Sequence, residues 1–544
     1  MKQRLLAFDF WRAVLPVALA AYAIANPVGN FPLNDDWAWS RDVMNVLGGN
    51  WSYTGWESMP LLPQILWGAL VSKIFGFDFT ILRLSVLFLS LVELYFFHKI
   101  ARLVSGDGAV ATALTLLFLF NPLQFALANT FMTDVPFLAL ALSALYYFLR
   151  RLRDGKDADL WTGLALCCVA ALQRQFAILI SLAFAAGLAY KEGLSRKNAA
   201  KLLIAGFAPL LVLSSYEFVL LAFQKTPLLY FSKQDELAQL GALGVQVLAA
   251  RLVSRFALIL CTCGAFFLPV FFLPRFTGKN ILKSPSFYVC LAALAAVRFS
   301  FLRGAPLPFT GNILNPEGVG PLLLKDAYIL GTSGLPVFPP LVLQAASAAS
   351  LAGGAGLLRH LAAGIWDLFA RRERTFRQAA FLTGLLFFLA YALISSVFAG
   401  FYDRYVLVAC AFVPLLAVSS PAAPVKRFPF VPILLWTLLL AVFSTGLTHD
   451  YLAWNRSKWE AIAYLENERN VLPQSMDGGF EYNAMRFFVP VIMRQEGKSW
   501  WWVIDDAYLV AFSPVPGYET LKEFPYSRWM FPGQGRILAL ARRP

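Results

Sequence analysis

The chain has 544 residues, of which 59% are hydrophobic and only 14% are charged. No soluble domain needs so much apolar surface, and many hydrophobic runs approach the about 17–25 residues that cross a bilayer. The net charge of +14 does not indicate nucleic acid, because Lys and Arg cluster in short links between hydrophobic runs, as in Arg150-Arg151-Leu152-Arg153. The composition therefore excludes a soluble globular protein and predicts a polytopic α-helical membrane protein.

Thirteen membrane spans are predicted. They are residues 12–29, 80–98, 109–127, 135–149, 160–175, 176–190, 201–222, 247–271, 286–302, 337–358, 380–399, 405–420 and 428–446. Basic links lie inside under the positive-inside rule, which places the N-terminus in the cytoplasm and residues 30–79, 128–134, 223–246, 303–336 and 400–404 outside. Dividing residues 160–190 around Gln173-Arg174-Gln175 sets every later orientation, because one long helix there would place Arg371 to Arg377 outside.

The first outer loop, residues 31–79, is predicted to contain two helices at the membrane surface. Residues 36–48 form the first, with Asn34 or Asp35 as N-cap and tryptophans at headgroup level, and Leu61 to Phe75 form the second. This loop belongs to a transmembrane catalytic domain predicted over residues 1–446.

A polar tail rich in Trp and Tyr begins at about residue 447. Residues 456–468 are typical of a helix, and Ser499-Trp500-Trp501-Trp502-Val503-Ile504 is typical of a strand. We therefore predict a small extracytoplasmic α+β domain over residues 447–544.

The six cysteines all fall in hydrophobic runs, which favours apolar packing over disulfides or metal binding.

Acidic residues mark two of the outer loops. Asp35 and Asp36 follow the first span, and Asp134 lies in the next outer loop. Paired carboxylates at a membrane surface can act as a general base or hold a divalent metal. The simpler interpretation makes the acids helix caps that favour the positive end of the helix dipole.

Several short motifs follow one another on one side of the predicted membrane. They are Asp35-Asp36, Glu57-Ser58-Met59-Pro60-Leu61, Phe79-Thr80-Ile81-Leu82-Arg83-Leu84-Ser85, Asn129-Thr130-Phe131-Met132-Thr133-Asp134-Val135-Pro136, Gln173-Arg174-Gln175 and Asp403-Arg404-Tyr405. In this order they resemble the glycosyltransferase-C superfamily, in particular its protein O-mannosyltransferase and lipid A aminoarabinose transferase branch. The first 180 residues carry most of the resemblance.

The resemblance implies transfer of a sugar from a polyprenyl-phosphate donor to a lipid, glycan or protein acceptor, outside the cytoplasm and at the plasma (inner) membrane. It places Asp35, Asp36 and Asp134 at the reaction centre, as base or as ligands of a divalent cation such as Mg²⁺, Mn²⁺ or Zn²⁺. Glu57 matches a polar or acidic position of the family and is a candidate acceptor or sugar contact. Ser58-Met59 departs from the commoner Lys-Pro there.

The chemistry of such a transfer needs a base and cations. A carboxylate within about 3 Å takes the proton of the attacking hydroxyl, and cations stabilise the leaving lipid phosphate. Direct displacement would invert the anomeric centre. Arg174, with Gln175 beside it, is the first candidate for the phosphate, because no acidic neighbour is evident in the sequence. A snorkelling arginine is the alternative.

Three further residues are candidates for substrate contact. Arg404 is a second phosphate candidate, although Asp403 beside it also allows a local ion pair. Asp477 and Glu481 flank a Gly-Gly turn and suit sugar hydroxyls, although a hairpin turn between strands explains the motif equally well.

For the whole chain, a transporter or lipid flippase is the alternative function. Neither inverted repeats nor matching broken helices favour it in this sequence.

Overall fold

A computed structural model describes residues 9–272, 281–370, 373–398, 400–420, 430–489, 498 and 502–544. The chain is mostly helical. Its helices are α1 (Leu15–Ala25, after a π turn Phe10–Val14), α2 (Asp36–Leu47), α3 (Leu62–Phe75), α4 (Phe79–Ser105), α5 (Gly108–Leu119), α6 (Pro122–Ala128), α7 (Asp134–Asp154), α8 (Asp157–Gln173), α9 (Ala177–Glu192), α10 (Arg196–Ala222), α11 (Leu228–Ala238), α12 (Val245–Phe266), α13 (Leu268–Phe272), α14 (Pro285–Ser300), α15 (Lys325–Tyr328), α16 (Pro340–Ala370), α17 (Phe376–Val397), α18 (Val406–Ser419), α19 (Phe430–Ala463) and α20 (Phe480–Phe487).

Each of the thirteen predicted spans contains a helix. Within the described ranges, seven helices are long and apolar enough to cross a bilayer on their own, or eight if the bent pair α5–α6 counts as one span. The chain is therefore a multi-pass helical membrane protein. Several remaining helices, such as α18 with 14 residues, are shorter than a complete crossing.

The predicted break in residues 160–190 is confirmed. Helix α8 ends at Gln173, Arg174 has an extended backbone, and α9 begins at Ala177. The side chains at the break face inward: Gln173 Nε2 donates to Gln64 Oε1 at 2.7 Å, and Arg174 is buried. Two consecutive polar side chains that bond to different helices favour a chain break over a continuous helix.

Close packing of α12 and α16 depends on glycine. A Cβ atom added to Gly264 would lie 2.1 Å from the backbone nitrogen of Gly354, and one added to Gly353 would lie 2.1 Å from the carbonyl oxygen of Gly264. Small residues allow two membrane helices to approach closely, which strengthens their van der Waals contact.

All six cysteines are free, and four of them lie in the apolar helices α8 and α12, where they pack as apolar side chains.

A bend between α5 and α6 places the next loop inside the protein. The two helices meet at 68°, where Pro122 begins α6 and the side chain of Asn121 caps it by accepting from Leu123 N at 3.0 Å. Ser444 of α19 donates to the carbonyl of Phe120 at 2.8 Å and satisfies the other side of the bend. Residues 129–134, which follow α6, are consequently buried.

The polar C-terminal region contains a four-stranded sheet. Its strands are β3 (Met476–Asp477), β4 (Tyr508–Ala511), β5 (Tyr518–Tyr526) and β6 (Gly535–Arg542), in the order β3-β4-β6-β5, whereas β1 (Leu314–Asn315) and β2 (Gly318–Val319) form a separate hairpin. Strand β3 runs parallel to β4, and the other two pairs are antiparallel. Helix α19 continues through residue 447 and, after Ala463, as a π turn to Glu468, which confirms the helix predicted at 456–468.

One predicted strand is wrong where the structure describes it. Trp502, Val503 and Ile504 form a turn and bend instead of a strand, and residues 499–501 lie outside the described residues. The Trp502 ring packs against other aromatic rings and its Nε1 donates to the carbonyl of Val489 at 3.3 Å. The aromatic side chain is therefore used for packing against other rings, although a run of such residues in the sequence is also typical of a β-strand.

Candidate active site

A buried loop, residues 129–134, forms the centre of the candidate site. The backbone nitrogen of Phe131 donates to Asp36 Oδ2 at 3.0 Å, and the sulfur of Met132 lies 3.8 Å from an Arg404 nitrogen. At the end of the same loop, Asp134 Oδ1 lies 3.0 Å from Arg174 Nη1. One loop therefore connects the first outer loop, the α8–α9 break and the segment before α18.

Asp35 occupies the N-cap position of α2, but its side chain does not cap the helix. Its Oδ1 accepts from Trp56 Nε1 at 3.0 Å, and its Oδ2 pairs with Arg404 Nη1 at 3.3 Å. The prediction that Asn34 or Asp35 is the N-cap residue is therefore confirmed for Asp35 by position, but the cap has no side-chain hydrogen bond. A carboxylate that bonds to an indole donor and a guanidinium keeps a fixed orientation.

Asp36 connects the two acidic loops. Its Oδ2 accepts from Leu33 N at 3.3 Å and from Phe131 N at 3.0 Å, while Oδ1 is buried without a hydrogen-bond partner. Burial raises the pKa of Asp36 to about 7, although the two backbone donors and Arg83 oppose this rise. The geometry gives Asp36 the task of holding residue 131 against α2, with one oxygen left available.

Asp134 and Arg174 form a buried ion pair. The Nε and Nη2 atoms of Arg174 also donate to Thr133 Oγ1, and the relative exposure of the two charged side chains is 3% and 0%. The sequence argument that Arg174 has no acidic neighbour is wrong, because Asp134 is distant in sequence but adjacent in the fold. Gln175 donates to the Ser58 carbonyl at 3.3 Å and thus contacts the first outer loop.

Arg404 pairs with Asp35 and not with its neighbour in sequence. The carboxylate of Asp403 instead accepts from Ile313 N at 3.0 Å and from Leu314 N at 2.6 Å, which anchors the hairpin of residues 314–319. Burial raises the pKa of Asp403 to about 7 against these donors. The local ion pair considered from the sequence is therefore absent, and Arg404 Nε is buried without a partner.

The role of Arg83 was not predicted, although the residue lies in one of the recognised motifs. It is 1% exposed, and its guanidinium donates to the carbonyls of Pro27 at 2.5 Å and Phe31 at 2.9 Å. These bonds fix the chain between α1 and the acid pair. The sequence did contain a signal for this role, namely an arginine near the start of a hydrophobic span, because a charge at such a position needs partners within the protein.

Glu57 is fully buried beside a second acid, Asp42, for which no role was predicted from the sequence. Glu57 Oε2 accepts from Gly55 N at 2.7 Å, and Asp42 Oδ1 accepts from Thr54 N at 2.7 Å. Burial raises the pKa of both carboxyls, and the proximity of Glu57 raises the pKa of Asp42 further. Two neighbouring acids in a buried turn favour one shared proton, so the geometry gives Glu57 an internal role instead of contact with an acceptor.

The two C-terminal candidates also point inward. Asp477 Oδ1 accepts from Gly479 N at 3.0 Å and from Asn483 Nδ2 at 2.8 Å, and Glu481 accepts from Asn34 N at 3.1 Å and pairs with Lys458 at 2.6 Å. Both residues are 1% exposed, so this geometry does not support sugar contact by either. The Gly-Gly motif joins β3 to α20, and the hairpin considered from the sequence is therefore wrong.

The three candidate metal ligands do not form a metal site in this structure. Among the residues that the structure describes, no group of three or more His, Cys, Asp or Glu side chains could hold an ion. Asp35 and Asp134 are each paired with an arginine, which supplies the positive charge that a metal would otherwise bring. The donor set therefore does not fit a divalent cation.

An apolar cavity of about 930 Å³ lies beside the ion pair, between helices α3, α4, α7 and α8. Gln64 and Gln173 form its polar end; Gln173 precedes Arg174, and Gln64 Nε2 donates to the carbonyl of Phe131 at 2.6 Å. At the other side the lining includes Trp161, which is 48% exposed on the outside of the helix bundle. Pro136 also lines the cavity, so its polar end lies next to the loop that carries Asp134.

Residues 60–216 match the family model for dolichyl-phosphate-mannose-protein mannosyltransferases. The matched segment contains Arg83, the loop of residues 129–134 and the α8–α9 break with Arg174. The match supports the prediction of a glycosyltransferase-C enzyme over this part of the chain. The match does not extend to Asp35, Asp36 or Arg404, which the structure brings to the same place through the contacts described above.

Two crystal structures of ArnT from Cupriavidus metallidurans are similar over almost the whole chain. The apo structure is 13% identical with a TM-score of 0.38, and the structure bound to undecaprenyl phosphate is 12% identical with a TM-score of 0.39. In both comparisons the match covers 97% of this chain and 97% of the other. No curated protein sequence matches the chain significantly.

Proposed function

We propose that this glycosyltransferase moves a sugar from a polyprenyl-phosphate donor to an acceptor outside the cytoplasm. The observation that carries the proposal is an apolar cavity whose polar end, at Gln64, bonds to the loop of residues 129–134, where buried acids and arginines meet. The cavity would hold the first prenyl units of the donor, and its polar end would direct the phosphate toward Arg174. The family that matches residues 60–216 is named for dolichyl-phosphate-mannose, a prenyl-phosphate sugar, which supports the same donor class.

In the proposed reaction an acceptor hydroxyl attacks the anomeric carbon of the donor sugar. The bond from that carbon to the phosphate oxygen breaks, and the oxygen keeps the electron pair. A carboxylate of the cluster takes the hydroxyl proton, while Arg174 and Arg404 stabilise the charge on the leaving lipid phosphate. Direct displacement inverts the anomeric configuration. Asp35 and Asp134 are the candidate bases, because Asp36 uses one oxygen to fix the loop.

The proposed mechanism gives a divalent cation no step, because the arginines already pair with two of the three acids. Transfer measured in the presence and absence of EDTA tests this part of the proposal. Unchanged rates are expected with EDTA. A loss that Mg²⁺, Mn²⁺ or Zn²⁺ restores would contradict the assignment of the positive charge to arginine.

The proposed topology is the thirteen-span arrangement in an inner membrane, with the acid cluster and residues 447–544 on the extracytoplasmic side. The basic links assigned to the cytoplasm support it through the positive-inside rule. Labelling of single introduced cysteines in a Cys-less variant from either side of the membrane tests it. Labelling of residue 330 from the cytoplasmic side only would contradict this orientation.

The cavity is tested by filling it. Ala165 lines the cavity on α8, and a tryptophan at this position occupies space that the prenyl chain would need. Ala165→Trp should raise KM for a long-chain donor and leave KM for a donor with a two-isoprene chain almost unchanged. Leu182→Trp, on the 39% exposed face of α9 outside the cavity, is the matched control. An equal change for both donors would refute the lipid assignment.

A further inference from the structure

Five aromatic rings from two distant parts of the chain pack together beside Asp35. Trp37 and Trp56 come from the first outer loop, whereas Phe480, Phe488 and Trp502 come from the C-terminal region. The ring centroids of Trp56 lie 5.9 Å from Trp37, 6.2 Å from Phe480, 5.9 Å from Phe488 and 5.6 Å from Trp502. We call these five rings the aromatic cluster.

Only one of its two first-loop tryptophans reaches the acid. The Nε1 atom of Trp56 donates to Asp35 Oδ1 at 3.0 Å, whereas the Nε1 atom of Trp37 is buried without a partner. The other Asp35 oxygen pairs with Arg404. An indole ring that touches four other rings has little freedom to rotate, so its N–H group is held in a fixed direction.

We propose that Trp56 is a positioning residue that sets the orientation of the Asp35 carboxylate, and that the C-terminal rings of the aromatic cluster hold Trp56 in place. The proposal rests on the proposed function, in which Asp35 belongs to the reacting cluster. It also gives the C-terminal region a catalytic purpose: this region completes the support of an acid that lies more than 400 residues earlier in the chain. Trp56 does not contact the reacting atoms itself.

The kinetic test compares two matched substitutions in the full-length protein. Trp56→Phe keeps a ring in the aromatic cluster and removes the donor to Asp35, while Trp37→Phe makes the same chemical change at an N–H group that bonds to nothing. Loss of a hydrogen bond to a charged group predicts a decrease in kcat of about 10- to 100-fold for Trp56→Phe, with KM for the donor within about 2-fold. Trp37→Phe should leave both parameters within about 2-fold. Equal effects of the two substitutions, or a change confined to KM, would overturn the proposal.

A spectroscopic test is independent of activity. In protein labelled with ¹⁵N-tryptophan, the indole resonance of Trp56 is identified by its loss in Trp56→Phe. Asp35→Asn should move this resonance upfield, because an amide oxygen is a weaker acceptor than a carboxylate, and should leave the Trp37 resonance in place. An unmoved Trp56 resonance would refute the contact. If the wild-type protein transfers no sugar, the proposed function fails while this measurement still decides the positioning contact.

Discussion

The Asp35–Arg404 pair allows the sharpest prediction about the site. Replacing Arg404 by methionine keeps an unbranched apolar stem and removes the guanidinium charge that faces Asp35. At the observed 3.3 Å, the attraction between two unit charges is about 5 kcal/mol for an effective dielectric constant of 20. Removing one partner of a buried pair costs about 3–5 kcal/mol, because the other charge remains buried without compensation.

This penalty should appear mainly as a loss of activity. Without the guanidinium, the Asp35 carboxylate loses one of the two partners that orient it, and the leaving phosphate loses a cation. We expect Arg404→Met to lower kcat by about 10²- to 10³-fold, the effect of removing one preorganised electrostatic partner. Arg404→Lys should retain intermediate activity, since lysine supplies the charge without the planar fork.

The assay is the initial rate of sugar transfer by purified protein in detergent, with thermal unfolding measured on the same samples. The double variant Asp35→Asn with Arg404→Met removes both charges and should recover thermal stability but not activity. This separates the cost of a buried unpaired charge from the loss of a reacting group. Arg404→Met with kcat within about 3-fold of wild type and unchanged stability would refute the reasoning.

Three further predictions concern stability. The pKa of Asp403 is about 7 in the folded state and close to 4 in the unfolded state, so between these pH values only the folded state binds the proton. The free energy of unfolding therefore falls as the pH rises from 4 to 7. Asp403→Asn should remove about 4 kcal/mol of this pH dependence, measured by denaturant titrations across that range. Gly264→Ala should lower the unfolding temperature, because the added Cβ atom would meet the backbone of α16. Gly241→Ala is the control and should leave the unfolding temperature unchanged, because a Cβ atom at Gly241 meets nothing within 4 Å. Equal unfolding temperatures of the two variants would contradict the close packing of α12 and α16. Lys458→Met should destabilise the C-terminal region by about 3–5 kcal/mol, because it leaves the buried Glu481 carboxylate without its partner, and local hydrogen exchange should become faster. The double variant Lys458→Met with Glu481→Gln should restore protection from exchange. Unchanged exchange in Lys458→Met would show that the pair contributes nothing to stability.

Much of the helical architecture could be predicted from the sequence because a bilayer imposes long apolar runs and basic links. The break at Arg174 illustrates this: two amides and a guanidinium within a hydrophobic stretch cannot all remain facing lipid. The number of complete crossings was less accessible. Short helices such as α18 are buried among other helices, and hydropathy does not distinguish a buried helix from one that crosses the membrane.

Partners within the site could be predicted only where they were close in sequence or shared a motif. The order of the acidic loops indicated Asp35, Asp36 and Asp134, but the pairing of Asp134 with Arg174 joins residues 40 positions apart. Arg404 was considered with Asp403, yet it pairs with Asp35, 369 positions away. Distances of this kind depend on how helices pack, for which a single sequence has no local signal.

The inward orientation of the C-terminal acids was missed for a related reason. A turn with glycine, aromatic and carboxylate side chains suits a sugar and also suits a buried junction. The deciding contacts come from Lys458 and Asn34 on other elements, which bond to Glu481. Composition alone does not separate a polar group that waits for a ligand from one that the fold already satisfies.

The central claim is most directly tested by following a radiolabelled polyprenyl-phosphate sugar with purified protein in liposomes that contain a membrane acceptor extract. We predict that label moves to an acceptor with the wild-type protein and that Asp134→Asn, inserted in the membrane at the same level, abolishes this transfer. Labelled lipid that crosses the bilayer without consumption of the donor would contradict the account and would identify a flippase instead.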